Sequence, residues 1–261
     1  MHEDTRDAEA RKALERSIYN RTHNRERPEY SSFWNRGLYD AMMNVEFEPE
    51  LERLGSEYLR GRRVLILGAG TSEVQLVQRF TDQIWALNIS DKAVADLQRN
   101  FPHVHTFVAD AEKLEGFDEK FDVIYCKSIL HHLHPIEQVL SAIAKRLVPG
   151  GVLFVAMEPG LYNPFAAFGR KFSPSQSHTP GERPFVFSQF SRLVRRDFDV
   201  LYERQHFLWS MLLPLVAKKA PRLTPVLQGT LGASLWLERA LRSLPYATDL
   251  YWVMTGIYCV R

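Results

Sequence analysis

Three groups of residues in this chain of 261 residues have types and spacing suited to chemistry. The first is Gly68-Ala69-Gly70, directly after the apolar run Val64–Leu67. Glycine there removes the Cβ that would hold a ligand away from the backbone, and a helix opening at such a turn favours negative charge. A dinucleotide fingerprint requires a third glycine at position 73, where this chain has Glu73, an acid that would repel a pyrophosphate. No Tyr is followed four residues later by Lys, so the residue pair of many nicotinamide reductases is also missing. The second group is Asn88, Asp110, Lys127, Ser128 and Glu158, polar residues at or just past the ends of apolar runs. The third is His131, His132 and His134, which as residues alone suit a general base, a metal ligand or a pocket wall.

The elements that must position these residues follow from periodicity. Val64–Leu67, Ile84–Ile89, Val104–Val108, Phe121–Cys126 and Val152–Met157 read as strands. Between them, 73–80, 91–100 (capped by Ser90) and 135–147 read as helices. This alternation predicts an α/β doubly wound, Rossmann-like sheet, with ligands at the carboxyl ends of its strands. Residues 7–19 read as a charged helix with a solvated face, and 50–59 as a second helix. Two further strands are expected at 198–207 and 250–260. Residues 1–60 then form a helical and aromatic cap on a domain spanning 61–261. Within that domain, 159–187 is a proline-rich lid loop and 208–247 an apolar helical insertion.

These residues carry a family resemblance. Val64-Leu-Ile-Leu-Gly-Ala-Gly-Thr-Ser72 resembles motif I of class I S-adenosylmethionine-dependent methyltransferases. The resemblance continues in order through Ala86–Ser90, Ala109–Glu112, Phe121–Tyr125, Ile129–Leu133 and Leu147–Val152, and covers about residues 60–158. It is nearest to the broad group of ubiquinone- and menaquinone-type enzymes, the type 11 methyltransferases. It implies a mostly parallel sheet with an antiparallel final strand, and S-adenosylmethionine as cofactor with S-adenosylhomocysteine as product. It also implies that Gly68, Ala69 and Gly70 lie under the methionine and ribose portions, Asn88 and Ile89 at the ribose, Asp110 and Ala111 at the adenine, and Lys127 near the methionine end. His132 is the first candidate for a base and His131 the second. No metal is expected, because the His-His-Leu sequence of similar proteins mostly shapes the acceptor pocket. Three positions depart from the family pattern: Ile66 and Asn88 stand where acids are usual, and Ser72 where a third glycine is usual.

Charge separates the two halves of the chain. Residues 158–261 carry 13 basic and 7 acidic side chains, against 20 and 24 in residues 1–157. The basic half is also rich in Leu, Phe and Trp. This suits a small-molecule or lipid-like methyl acceptor with an anionic group, or peripheral contact with acidic lipid. Nucleic acid is not expected, since the aromatics do not interleave with the charges. The aromatic segment Tyr30–Tyr39 and the lid are expected to fold over the pocket. Cys126 and Cys259 form no redox pair, His178 and His206 read as ordinary histidines, and the apolar stretch 207–217 is too short to span a bilayer. The expected location is cytoplasmic or at a membrane surface. The rival readings are a protein that binds the cofactor without turnover, or an enzyme that uses it for a reaction without methyl transfer.

Overall fold

The computed structural model describes residues 5–23, 34–114, 118–167, 181–244 and 247–261. Its seven strands are β1 (Val64–Leu67), β2 (Ile84–Asn88), β3 (His105–Val108), β4 (Phe121–Lys127), β5 (Leu147–Pro159), β6 (Phe198–His206) and β7 (Val253–Val260). They form one sheet in the order β3-β2-β1-β4-β5-β7-β6. The pairings β1 with β2, β1 with β4, β2 with β3 and β4 with β5 are parallel. β7 runs antiparallel to both β5 and β6, so one strand is reversed.

The run Val64–Leu67 is apolar on both faces because helices cover both faces of the sheet, and all four side chains are buried. Helices α1 (Thr5–His23), α2 (Arg36–Glu46), α3 (Glu48–Tyr58), α4 (Thr71–Val77), α5 (Asp91–Asn100) and α6 (Ile136–Arg146) precede the sheet's last parallel pairing. α7 (Phe187–Val194), α8 (Leu212–Lys219) and α9 (Thr224–Leu241) follow β5. Leu38 and Met42 of α2, Leu54 of α3 and Phe47 between the two helices pack in one core cluster with Val64, Ile66 and Tyr125 of the sheet. The cap at 34–60 therefore shares the core of the domain.

Two expectations change. The helix at the N-terminus does not present a merely solvated face: Glu15 is only 3% exposed. Trp34 and Tyr39 pack against each other and Trp34 against Trp252, with ring centroids 6.3 and 5.8 Å apart, instead of folding over the cleft; Tyr30 and Phe33 lie outside the described residues. The insertion is helical, in two pieces, because Pro221 and Pro225 fall where the chain passes from α8 through a short 3₁₀ turn into α9. Of the lid, 168–180 lies outside the described residues, and with it His178, Arg170 and Lys171. Its ends are stapled: Leu161 N–H donates to Phe185 O at 2.8 Å and Arg183 N–H to His131 O at 2.8 Å.

Candidate active site

The carboxyl ends of β1, β2 and β4 open into a cleft of about 140 Å³. Gly68, Asn88, Ile89, Asp110, Ala111, Lys127 and His132 line it. Gly68 has φ +65°, and a Cβ on it would fall 2.8 Å from Ile129 Cδ1. The turn needs glycine for backbone conformation and for packing together. Ala69 is fully buried behind the turn, with its carbonyl accepting Asn88 Nδ2–H at 2.9 Å. Gly70 caps α4, and its N–H donates to Glu73 Oε2 at 3.1 Å.

Glu73, which argued against a dinucleotide, has a local task. Ser72 Oγ donates to it at 2.7 Å and Lys127 Nζ lies 3.2 Å away. Burial pushes this carboxyl up, but Lys127 and the hydrogen bonds outweigh burial and hold it below the usual range. Lys127 is thereby positioned at the cleft. Asn88 is similarly engaged: besides reaching Ala69 O, its Oδ1 accepts Ser90 N–H at 2.8 Å. Asp110 Oδ1 accepts Glu112 N–H at 2.9 Å, and Lys12 Nζ stands 3.6 Å from it.

The histidines sit on the turn after β4. Ser128 begins it at φ +50°, an unusual conformation for serine, with its hydroxyl donating to Met157 O at 2.8 Å. Glu158, fully buried, accepts the N–H groups of Ile129 and Leu130 at 2.8 Å each and that of His131 at 3.3 Å. It also meets His131 Nδ1 at 2.9 Å, so Glu158 organises the turn and fixes the His131 ring. His131 stands behind the cleft and His132 faces it. Burial, then the neighbouring His131, drives the His132 pKa down to about 3, which leaves its imidazole neutral. His206 belongs elsewhere, within salt-bridge distance of Glu46 and Glu50 at 3.6 and 3.0 Å.

The sequence reading missed the contribution of α1. Lys12, Glu15 and Tyr19 recur at helical spacing, and all three line the cleft. Tyr19 Oη lies 3.4 Å from His132 Nε2. Lys12 also meets Glu112 at 2.9 Å, Arg11 meets Glu112 at 3.0 Å, and Arg16 Nε donates to Ile89 O at 3.1 Å. α1 is thus fastened over the strand ends by polar contacts. The 12/15/19 spacing was visible in the sequence, but nothing there said which surface it faces. Glu182, also unforeseen, joins His131 and His132 in a group whose candidate ligand atoms lie within 4.8 Å of one another.

The lining suits an adenosyl ligand: a carboxylate (Asp110) and an amide (Asn88) stand at neighbouring strand ends beside apolar Leu87, Ile89 and Leu133. Strand order, glycine turn and strand-end cleft define a Rossmann-like α/β fold with its ligand site at the carboxyl ends of the strands. Residues 65–155 match the family model described as a methyltransferase domain. Trans-aconitate 2-methyltransferase of Methylobacterium radiotolerans is 28% identical over 135 residues, 50% of this chain and 52% of the relative. The chain thus spans about half the length of the curated relatives it matches. Among solved structures, the N-methyltransferase NodS from Bradyrhizobium japonicum, in complex with S-adenosylhomocysteine, has a TM-score of 0.58 at 12% identity, over 94% of this chain and 98% of that one. The [4+2]-cyclase SpnF has a TM-score of 0.52 at 22% identity, over 81% and 80%. At these identities the structural likeness concerns the fold.

Proposed function

We propose that this protein transfers a methyl group from S-adenosylmethionine to a small or lipid-like acceptor bearing an anionic group. The observation that carries this reading is the strand-end cleft closed by α1, with Tyr19 and His132 meeting across it. The anionic acceptor is supported by relatives named for trans-aconitate, a carboxylate, and by the basic C-terminal half.

When bound, the cofactor supplies an electrophilic sulfonium methyl, and the rest is work for this chain's residues. Gly68 lets the ligand approach the backbone, Asp110 accepts from the adenine, and Lys127 and Ser128 border the reacting end. Asn88 offers less to the ribose than an acid would, because both ends of its amide already bind the protein. Glu15 adds a carboxylate to the cleft wall, with Lys12 Nζ 3.3 Å from its Oε2 and Arg11 Nη1 3.7 Å from its Oε1. Positioning and exclusion of water supply most of the rate. His132 serves as base only where the acceptor must lose a proton; a carboxylate acceptor has none to lose. Nearby negative charge on the acceptor raises the His132 pKa towards a useful value.

Calorimetry with S-adenosylmethionine and with NAD tests the cofactor, with binding of the former expected. Incubation with methyl-labelled cofactor and a cell extract tests the transfer, with label expected in a small or lipid-extractable acid. Binding without transferred label, against a broad set of acceptors, would replace this reading with cofactor binding or a reaction without methyl transfer.

A further inference from the structure

α9 is apolar on two faces. Leu231 and Leu235 point into the core, as an ordinary surface helix requires. The opposite face carries Val226, Ala233, Trp236, Leu237 and Ala240 at helical spacing, and all five are exposed. Trp236 is 66% exposed and Val226 64%, so these are not the half-covered edges of a core. A helix apolar all round belongs in a protein interior or against lipid. Among the described residues nothing covers the outer face of this one.

Charge decides between the possible covers. Between Phe207 and Leu244 the only acid is Glu238, and it is buried, accepting the N–H groups of Trp209 and Ser210. Beside the start of α9, exposed Lys218, Lys219 and Arg222 have no carboxylate within salt-bridge distance among the described residues. A second copy of the same face would bring these cations together and repel. An anionic bilayer takes both features: apolar side chains into the headgroup boundary and ammonium groups onto the phosphates. No helix of the described residues is long and apolar enough to cross a membrane, which leaves contact from the side. We infer that the outer face of α9, with the Lys218–Arg222 corner, docks this protein on an anionic lipid surface. The inference rests on this face alone and does not depend on the methyl-transfer reading.

The test is co-sedimentation of the full-length protein with vesicles of phosphatidylcholine alone and of phosphatidylcholine with phosphatidylglycerol, at low and high salt. Binding is expected to the anionic vesicles, weakened by salt. Lys218→Ala and Lys219→Ala are each expected to weaken it about fivefold, the factor for one surface cation. Trp236→Ser is expected to weaken it at least about tenfold from lost apolar insertion. Circular dichroism melts should be unchanged in all three, since the replaced side chains are exposed. Failure to sediment, equal sedimentation with neutral vesicles, or undiminished binding of Trp236→Ser would overturn the inference. So would a two-chain mass in vesicle-free solution that Trp236→Ser reduces to one, because the face would then belong to a second copy.

Discussion

At the scale of single residues, the cleft is defined by side chains whose polar atoms are already spoken for. Asn88 is the clearest case. As a ribose ligand alone it would tolerate replacement by Asp, but Nδ2–H donates to Ala69 O, and a carboxylate there would face that carbonyl. Asn88→Asp should therefore weaken cofactor binding severalfold, as should Asn88→Ala; calorimetry with S-adenosylhomocysteine checks both. Glu15→Gln should also weaken that binding, with the melting temperature held or raised. The sign follows from burial, which pushes the Glu15 carboxyl up against the pull of Lys12 and Arg11, so an uncharged side chain suits this position better. His132 yields two pH expectations. With a free-enzyme pKa of about 3, kcat/KM should show no acid limb from this group near the ordinary histidine value of about 6.5. Because its folded pKa is depressed, the unfolded chain binds the proton first, and the contribution to stability is complete above about pH 6.5 and falls as pH drops towards 3. Urea melts of His132→Asn against the parent, run across that window, should show a shallower pH dependence in the variant.

At the scale of elements, α1 matters most. It lies over the strand-end cleft with few buried side chains, joined to Ile89 just past β2, the Asp110–Glu112 segment and the histidine turn by ion pairs and hydrogen bonds. The side chains of these pairs are only 11–21% exposed, so they are less screened than surface pairs and also carry a desolvation cost. The element that shields the site is thus held mostly by polar contacts, as a lid that must lift to admit ligand should be. Breaking the Lys12 and Arg11 contacts with Glu112 by Glu112→Gln should speed cofactor release more than it lowers global stability. Stopped-flow displacement and urea melts on one preparation separate the two effects, and hydrogen exchange across residues 5–20 should slow when cofactor is added.

At the scale of the whole molecule, the two ends of the chain are tied by a buried ionic cluster. Glu46 at the end of α2 accepts from Arg204 of β6 at 2.8 Å, Arg239 of α9 at 2.7 Å and Arg242 at 2.9 Å. Burial opposes its charge, yet His206 and the arginines hold its pKa down to about 2. Glu46→Gln would leave Arg239 and Arg242 short of a carboxylate, while Arg204 keeps Glu50 at 2.8 Å, at a cost of about 3 kcal/mol in urea unfolding. This cluster fixes the orientation of α9, and so the direction in which its outer apolar face points.

The sequence by itself determined the strands, the glycine turn and the order of the strand-end residues, because a buried parallel strand needs a continuous apolar run and its carboxyl end follows directly in the chain. It also showed Lys12, Glu15 and Tyr19 on one helical face, and apolar residues all along 224–241. Only the tertiary structure decided where those faces point. Which surface a charged helix covers depends on contacts across about a hundred residues, such as Tyr19 to His132 and Arg11 to Glu112. Periodicity carries no record of such contacts. The same reason separates Asn88 as a ligand from Asn88 as a brace, and the buried from the exposed side of α9: local pattern names the groups, and packing assigns their partners.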